Sequence, residues 1–200
     1  MNNAFELAEH HRASLATNSS ISDEIIEKRG YRTVETKAEL KSKGFSPYQC
    51  SVPGLLIPVL GLSGEIVQYQ YRPDEPRIKD GKPVKYETPS KSSMVLDFPP
   101  QILDNLRDPG VPLFITEGIK KGDSLASREL CVVCLLGVWN WKGKNEFGGR
   151  TTLSEWDQIA LNGRQVYVVF DSDSALNPQV HNAMIRLGNF IERKHNVRNG

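Results

Sequence analysis

The chain has 200 residues, of which 38% are hydrophobic and 24% are charged, and its formal net charge is +1. This length suits one ordinary domain or two small ones, and the near-neutral charge gives no bulk electrostatic argument for a nucleic-acid partner. Because no apolar run approaches the length of a membrane span and the amino terminus lacks the features of a secretory signal, we expect no membrane association and a cytoplasmic location.

Short helices are predicted before residue 50. Apolar residues at helical spacing predict two short helices within residues 1–30, where Ser22 suits a helix start and Gly30 a helix stop. A third, charged helix is expected over 36–44. These helices form a lead-in to the part of the chain that follows.

A β-hairpin is predicted next. The apolar stretch 55–60 and the alternating stretch 65–72 flank a turn that contains two glycines, and alternation of this kind is typical of a half-buried strand. Residues 84–88 are a candidate third strand after a loop rich in proline, glycine and lysine.

Strands and helices alternate after the breaker Asp108-Pro109-Gly110, which is the best candidate for a domain boundary. The predicted order is strand 111–116, helix 118–128, strand 131–136, helix 153–161, strand 164–170 and helix 178–194, and Val197 is a candidate start of a fourth strand. Continuous apolar strands that alternate with helices predict a small parallel sheet covered on both faces. The predicted divisions are therefore 1–50, 51–108 and 109–200.

Acidic residues follow two of these strands. Glu117 closes the first strand, and Asp171 and Asp173 follow the last one. Since ligands of open parallel sheets bind outside the carboxyl ends of the strands, these side chains are expected to converge on one divalent metal ion. Carboxylate oxygens favour Mg²⁺, or the similar Mn²⁺. The alternative is that Asp171 and Asp173 only cap the following helix.

Two lysines fall where a helix disfavours cations. Lys120 and Lys121 lie in the first predicted turn after Glu117, where positive charge opposes the helix dipole. An anionic ligand or the nearby carboxylates would account for them. The alternative is that both are solvated surface lysines.

Aromatic and basic residues alternate in the loop before residue 153. Trp139, Trp141 and Phe147 accompany Lys142, Lys144 and Arg150, a mixture that suits stacking on unpaired bases and contact with phosphates. The alternative is that the tryptophans fold back over the sheet, and we expect this for at least one of them.

Cysteines and histidines receive no functional role from the sequence. Cys131 and Cys134 have the spacing of half a zinc site, but they lie in an apolar run without a second pair, so buried structural cysteines are expected. The four histidines show no ligand spacing with one another or with the acids; they are His10, His11, His181 and His195.

The order of these motifs resembles a known family. Residues 111–196 resemble the Toprim domain of bacterial-type primases, topoisomerases and related nucleases. The resemblance lies in the order of elements, which is strand, Glu117-Gly118, helix, strand, long loop, helix, strand and Asp171-Ser172-Asp173. Upstream, the stretches around Arg72 and Lys85-Tyr86 resemble the segment that precedes Toprim in bacterial-type primases.

A narrower resemblance covers roughly residues 50–200. Three motifs resemble those of a Toprim-like domain of unknown function. They are Ile115-Thr116-Glu117-Gly118, Leu136-Gly137-Val138-Trp139-Asn140-Trp141 and Val169-Phe170-Asp171-Ser172-Asp173. That family occurs in replication proteins of plasmids, phages and other mobile elements, often joined to a helicase.

These resemblances imply an α/β fold, a Toprim (Rossmann-like) small parallel sheet flanked by helices and preceded by a smaller α+β primase-like subdomain. They imply that Glu117 acts as a general base or beside the metal, and that Asp171 and Asp173 hold Mg²⁺. The implied phosphate-binding residues are Arg72, Lys85, Lys120 and Lys121, to which the aromatic loop adds Lys142.

The implied function is Mg²⁺-dependent nucleotidyl transfer, in which nucleoside triphosphates are joined on a single-stranded DNA template in DNA replication, with a replicative helicase as a candidate partner. One alternative is phosphodiester hydrolysis, as in Toprim nucleases. Another is a non-catalytic module that binds nucleic acid or docks a partner protein.

Overall fold

The computed structural model of the chain describes residues 7–100, 103–144, 149–171 and 177–195. It divides into two compact units, one formed by residues 1–60 and 65–92 and the other by residues 61–64 and 93–200. The division predicted from the sequence, with boundaries at residues 50 and 108, stays a prediction.

The first unit contains three short α-helices, α1 (Glu9–Ala16), α2 (Asp23–Arg29) and α3 (Lys37–Ser42), and a 3-10 turn over Pro47–Gln49. The Ser22 side chain accepts a hydrogen bond from the Ile25 amide at the start of α2. Gly30 ends that helix in the left-handed conformation, with φ of 76°. The predicted start and stop of α2 are therefore confirmed.

An antiparallel sheet lies beside these helices. Its strands are β1 (Arg32–Val34), β2 (Gly54–Leu60) and β3 (Ile66–Pro73), in that spatial order, and a two-stranded ribbon follows, β4 (Ile78–Lys79) with β5 (Lys82–Pro83). The pairing of β2 with β3 confirms the predicted hairpin. Every residue of the central strand β2 is buried, whereas β1 was not predicted because it has only three residues.

The candidate strand over 84–88 is wrong. Only Glu87 pairs with the sheet, through a single bridge in which Tyr71 and Glu87 exchange backbone hydrogen bonds of 2.9 and 2.8 Å. The Glu87 side chain, rather than a ladder, fixes the segment, because its carboxylate accepts hydrogen bonds from Arg77 Nε at 2.5 Å and from Gln49 Nε2 at 3.0 Å.

The second unit contains a mixed sheet. Its strands are β6 (Leu96–Asp97), β7 (Leu113–Glu117), β8 (Cys131–Leu135), β9 (Lys142–Lys144), β10 (Arg150–Thr152) and β11 (Val166–Val169). The main sheet has the order β11-β7-β8-β6, in which β6 alone runs antiparallel to its neighbour, and β9 pairs with β10 in a separate hairpin. The predicted α/β fold class with a small parallel sheet is confirmed.

Within the described part of this unit, the α-helices are α4 (Ile119–Ala126) and α5 (Pro178–His195), and a 3-10 turn covers Leu103–Arg107. The helix predicted over 153–161 is a shorter 3-10 helix, Ser154–Gln158. Trp156 within it and Leu153 and Ile159 on either side are buried at intervals of three, the period of a 3-10 helix. Val197 lies outside the described residues.

Helix α4 lies very close to strand β8. A Cβ atom on Gly122 would stand 1.9 Å from Cys134 Sγ, so only glycine fits at this contact. Cys131 and Cys134 are buried in β8 and Cys50 is buried in the first unit, all as free thiols, which confirms the prediction of structural cysteines. Among the described residues, no helix has both the length and the apolar character needed to span a bilayer.

Arg164 links separate segments of the second unit. This side chain is 2% exposed and precedes β11. Its guanidinium donates hydrogen bonds to four backbone carbonyls, those of Val111 at 2.7 Å, Leu106 at 2.8 Å, Asn105 at 2.9 Å and Ala160 at 3.2 Å. A fifth contact joins Nη2 to Cys131 Sγ at 3.3 Å. The planar fork of five N–H groups suits arginine for this position.

Candidate functional site

Two of the three predicted acids lie at one edge of the parallel sheet. Glu117 is the last residue of β7, and Asp171 lies two residues beyond the end of β11. The two strands are parallel neighbours, and Val169 is paired with Thr116. The structure therefore places Glu117 and Asp171 at the carboxyl ends of adjacent parallel strands. Asp173 lies outside the described residues.

The turn after Glu117 depends on Gly118. This glycine has φ of +89°, a conformation that side-chain-bearing residues rarely adopt, and it directly precedes α4. Its amide donates a 2.8 Å hydrogen bond to the Leu135 carbonyl of β8. The chain thus reverses immediately after Glu117, which leaves the half-buried carboxylate at the sheet edge beside the start of a helix.

Lys121 forms an ion pair with Asp171. Its Nζ atom lies 2.6 Å from Asp171 Oδ2, and the side chains are 42% and 60% exposed. A carboxylate therefore accounts for this cation in the first turn of α4, as one of the sequence interpretations expected. Lys120 is half-buried on the same turn. The edge is a place where anionic and cationic groups meet in contact with solvent.

The predicted phosphate ligands Arg72 and Lys85 lie in the first unit. Arg72 is exposed near the end of β3, and its Nη1 atom donates a 3.0 Å hydrogen bond to Tyr86 Oη. Lys85 is also exposed, and both side chains line a cavity of about 470 Å³. The structure thus brings these two cations to one concave surface.

The aromatic loop folds partly inward. Trp141 is 6% exposed, and its ring stacks on Phe190 of α5 with a centroid separation of 5.2 Å. Trp156 Nε1 donates a 2.9 Å hydrogen bond to the Trp141 carbonyl. The expectation that at least one tryptophan covers the fold is confirmed. Phe147 falls in the part of the loop that the structure does not describe.

Lys142 remains beside the aromatic surface. Its Nζ atom lies 4.5 Å from the centroid of Trp141 and 5.4 Å from that of Trp139, which also has the Arg186 guanidinium 5.7 Å away. Burial lowers the pKa of Lys142, and the nearby Arg150 and Arg186 lower this pKa further. Half-exposed Trp139 with these cations forms a surface suited to stacking and phosphate contact.

Two histidines without a role in the sequence analysis have a shared acidic partner. His10 Nε2 lies 3.1 Å from Asp74 Oδ2, and His11 Nε2 lies 2.9 Å from Asp74 Oδ1. The sequence analysis, which found no ligand spacing among the histidines or with the predicted metal-binding acids, did not identify this group. Sequence separations of 64 and 63 residues hide this cluster, and only the adjacency of the two histidines hints at it.

The part of the chain that contains the candidate site matches a known protein family. Residues 103–198, which contain Glu117 and Asp171, match the family model of a domain of unknown function (DUF3854). None of the curated proteins matches the chain.

Solved structures show what the fold is. The Aquifex aeolicus primase (zinc-binding and RNA polymerase domains) superposes with a TM-score of 0.62 at 13% identity, over 94% of this chain and 48% of that one. The chain has the fold of a primase catalytic core. This confirms, at the level of fold, the resemblance to bacterial-type primases.

Two further primase structures agree with this assignment of fold. The DnaG primase catalytic domain bound to single-stranded DNA has a TM-score of 0.55 at 14% identity, over 88% of this chain and 57% of that one. The RNA polymerase domain of Mycobacterium tuberculosis primase DnaG has a TM-score of 0.54 at 16% identity, over 91% and 65%. The chain thus spans between 48% and 65% of the length of these primase structures.

Proposed function

We propose that the chain is a primase-like catalytic core of the Toprim type, which joins nucleotides on a single-stranded DNA template. The observation that carries this proposal is the position of Glu117 and Asp171 on neighbouring parallel strands, at the sheet edge, in a chain with the fold of primase cores. Open α/β sheets bind their ligands at this edge. From the resemblance of its sequence motifs, we also propose a role in replication proteins of mobile elements.

The residues at this edge fit a hard divalent cation. Carboxylate oxygens are the donors that Mg²⁺ and Mn²⁺ prefer, and the ammonium of Lys121 at 2.6 Å from Asp171 already places a cation there. Glu117, Asp171 and, from its place in the sequence motif, Asp173 would hold the ion. When bound, it would neutralise phosphate charge and orient the reacting groups.

Side chains of the protein would provide the general base and the phosphate contacts. Glu117, which is half-buried, would accept the proton of an attacking hydroxyl group, as a general base. Lys120 and Lys121 would contact the phosphates of a nucleoside triphosphate, since both lie on the first turn of α4. Lys121 would exchange its partner Asp171 for a phosphate oxygen in this step.

Template binding would use surfaces in both units. One of the primase structures with this fold has single-stranded DNA bound, and the surface formed by Trp139, Lys142 and Arg186 suits unpaired bases and their phosphates. Arg72 and Lys85 would contact phosphates in the first unit. A replicative helicase is the protein partner that we propose.

Primer synthesis by the full chain tests the proposal. With a single-stranded DNA template, ribonucleoside triphosphates and Mg²⁺ or Mn²⁺, we expect labelled ribonucleotides to appear in short products, and chelation with EDTA to abolish them. Shortening of labelled DNA without consumption of nucleotides would instead establish a nuclease. DNA binding with neither reaction would establish a non-catalytic binding module, and both of these results contradict the proposal.

Lys142→Gln provides a prediction about DNA binding. If Lys142 contacts one phosphate, its removal is expected to weaken binding of single-stranded DNA and to reduce the dependence of log K on log salt by about 0.7. The cation is present below its lowered pKa and is lost above it. The difference between the wild type and the variant should therefore begin to shrink at a lower pH than it would for an ordinary lysine, whose pKa is 10.5. Fluorescence anisotropy at several salt concentrations and pH values measures both effects.

A further inference from the structure

The first unit contains a cluster of metal-binding side chains that is separate from the proposed Mg²⁺ site. His10 and His11 are consecutive residues of α1, and Asp74 directly follows β3. The Asp74 amide donates a 3.1 Å hydrogen bond to the Pro53 carbonyl, which fixes the backbone beneath the carboxylate. Each carboxylate oxygen faces one histidine, at 3.1 Å from His10 Nε2 and 2.9 Å from His11 Nε2.

The two rings converge although their positions on the helix diverge. Consecutive residues of an α-helix project about 100° apart and do not normally face each other. Here the ring centroids of His10 and His11 are 4.0 Å apart, and both Nε2 atoms point at the same carboxylate. Asp74 is therefore the common focus of both imidazoles.

Thr33 orients the buried ring. His11 Nδ1 lies 2.7 Å from Thr33 Oγ1, and the same hydroxyl oxygen accepts a 2.8 Å hydrogen bond from the Ala8 amide. In the metal-bound form His11 Nδ1 would donate to this hydroxyl. The Nε2 lone pair would then be available to an ion beside the Asp74 carboxylate, in place of the direct contact of 2.9 Å between Nε2 and Oδ1. Metal-bound histidines commonly have such an outer partner on the second ring nitrogen.

The spacing of the ligand atoms suits a small metal ion. The candidate ligand atoms of His10, His11 and Asp74 all lie within 4.8 Å of one another. Ligands about 2.0–2.1 Å from a tetrahedral ion stand about 3.4 Å apart. The observed contacts of 2.9 and 3.1 Å are slightly shorter, so a modest rotation of the side chains would admit the ion.

We propose that His10, His11 and Asp74 bind a divalent ion of the zinc class. Two imidazoles and one carboxylate favour Zn²⁺ over Mg²⁺, which prefers a shell of oxygen atoms. His11 is 6% exposed in its side chain and His10 is 60% exposed, so the site opens towards solvent on one side.

The open side of this site faces a basic cavity. The same three residues line the cavity of about 470 Å³ that Arg72 and Lys85 also line. Three protein ligands leave a fourth position of a tetrahedral ion for water or an anion. Since one carboxylate does not neutralise a divalent ion, the ion would add to the positive charge of Arg72 and Lys85. The fourth ligand that this arrangement favours is a phosphate oxygen.

Zinc binding to the full chain tests this proposal. We expect one Zn²⁺ to bind in isothermal titration calorimetry, and Co²⁺ at the same site to give the visible absorption of a tetrahedral complex. His10→Ala and Asp74→Asn should each weaken Zn²⁺ binding by more than the roughly 10- to 100-fold typical of losing an outer partner. These two variants are preferred because His11 is nearly buried, and thermal melts would verify that both remain folded.

Controls separate this site from other metal ligands. His181→Ala removes an exposed histidine of α5 and should leave Zn²⁺ binding unchanged. Asp171→Asn, which alters the proposed Mg²⁺ site, should also leave it unchanged. Thr33→Val keeps all three ligands but removes the partner of His11 Nδ1, and is expected to weaken binding by about 10- to 100-fold.

Three results would overturn the zinc proposal. These are the absence of Zn²⁺ binding to the wild type, binding that survives both His10→Ala and Asp74→Asn, and an equal loss in the His181→Ala control. A proton shared between the histidines and Asp74 would give the first of these results. None of the three bears on primer synthesis, which depends on other residues.

Discussion

Asp171→Asn and Glu117→Gln are each expected to lower the rate of ribonucleotide incorporation by at least about 100-fold, the lower range for removal of one acid–base or electrostatic group. Each substitution keeps the size of the side chain and removes its negative charge. At Asp171 the change removes a metal ligand, so part of the activity should return at high Mg²⁺ or Mn²⁺ concentration. At Glu117 the change removes the proposed base as well as a metal ligand, so added metal should restore less.

Asp157→Asn is the matched control for this experiment. Asp157 is 69% exposed and pairs with Lys194 at 2.5 Å, much as Asp171 is 60% exposed and pairs with Lys121. The control removes a similar surface ion pair from the same unit, away from the sheet edge that carries Glu117. Incorporation at the wild-type rate by Asp171→Asn, or an equal loss in Asp157→Asn, would contradict the proposed catalytic role.

Arg164→Met is expected to destabilise the second unit by more than about 3 kcal/mol. The substitution removes the guanidinium from four carbonyls, of which those of Leu106 and Asn105 keep a backbone amide donor. The Val111 and Ala160 carbonyls lose the donor described for them, and each buried acceptor left unsatisfied costs about 1–3 kcal/mol. Methionine fills much of the volume, so the loss would come mainly from hydrogen bonds rather than from a cavity. Urea denaturation followed by circular dichroism measures the change in the free energy of unfolding.

Arg128→Met is the control for Arg164. The Arg128 side chain is exposed just beyond the end of α4 and donates to the Ser124 carbonyl of that helix at 2.7 Å. Its removal is expected to change the free energy of unfolding by less than about 0.5 kcal/mol, as is usual for surface positions. Similar denaturation midpoints for Arg164→Met and the wild type would show that Arg164 does not link these segments energetically.

Local patterns in the sequence predicted the frame of the sheet and part of the site. The apolar runs before Glu117 and Asp171 are long enough to identify strands, and Gly118 identifies the turn between β7 and α4. No local pattern in the sequence shows the proximity of Glu117 and Asp171 directly. This proximity follows from the rule that the carboxyl ends of parallel strands lie at the same edge of a sheet. This is why two remote acids could be placed at one edge.

Short elements and long-range polar contacts escaped prediction. Strand β6 has two residues, too few for any periodicity, and its pairing depends on β8. The sequence around Arg164, just before a strand, does not differ from that of an exposed arginine. In the structure its side chain is buried and donates five hydrogen bonds. Asp74 is brought to His10 and His11 only by the packing of α1 beside the end of β3.

The ion pair between Lys121 and Asp171 has a consequence for assembly of the proposed catalytic edge. Because Lys121 supplies a built-in counterion, mutual repulsion between Asp171 and Glu117 need not await a metal before the strands align. Exposed pairs of this kind contribute only about 0–1 kcal/mol, so an incoming ion could displace the ammonium at little energetic cost. Lys121 would then neutralise Asp171 in the absence of metal and keep the two strand ends aligned until substrate and ion bind.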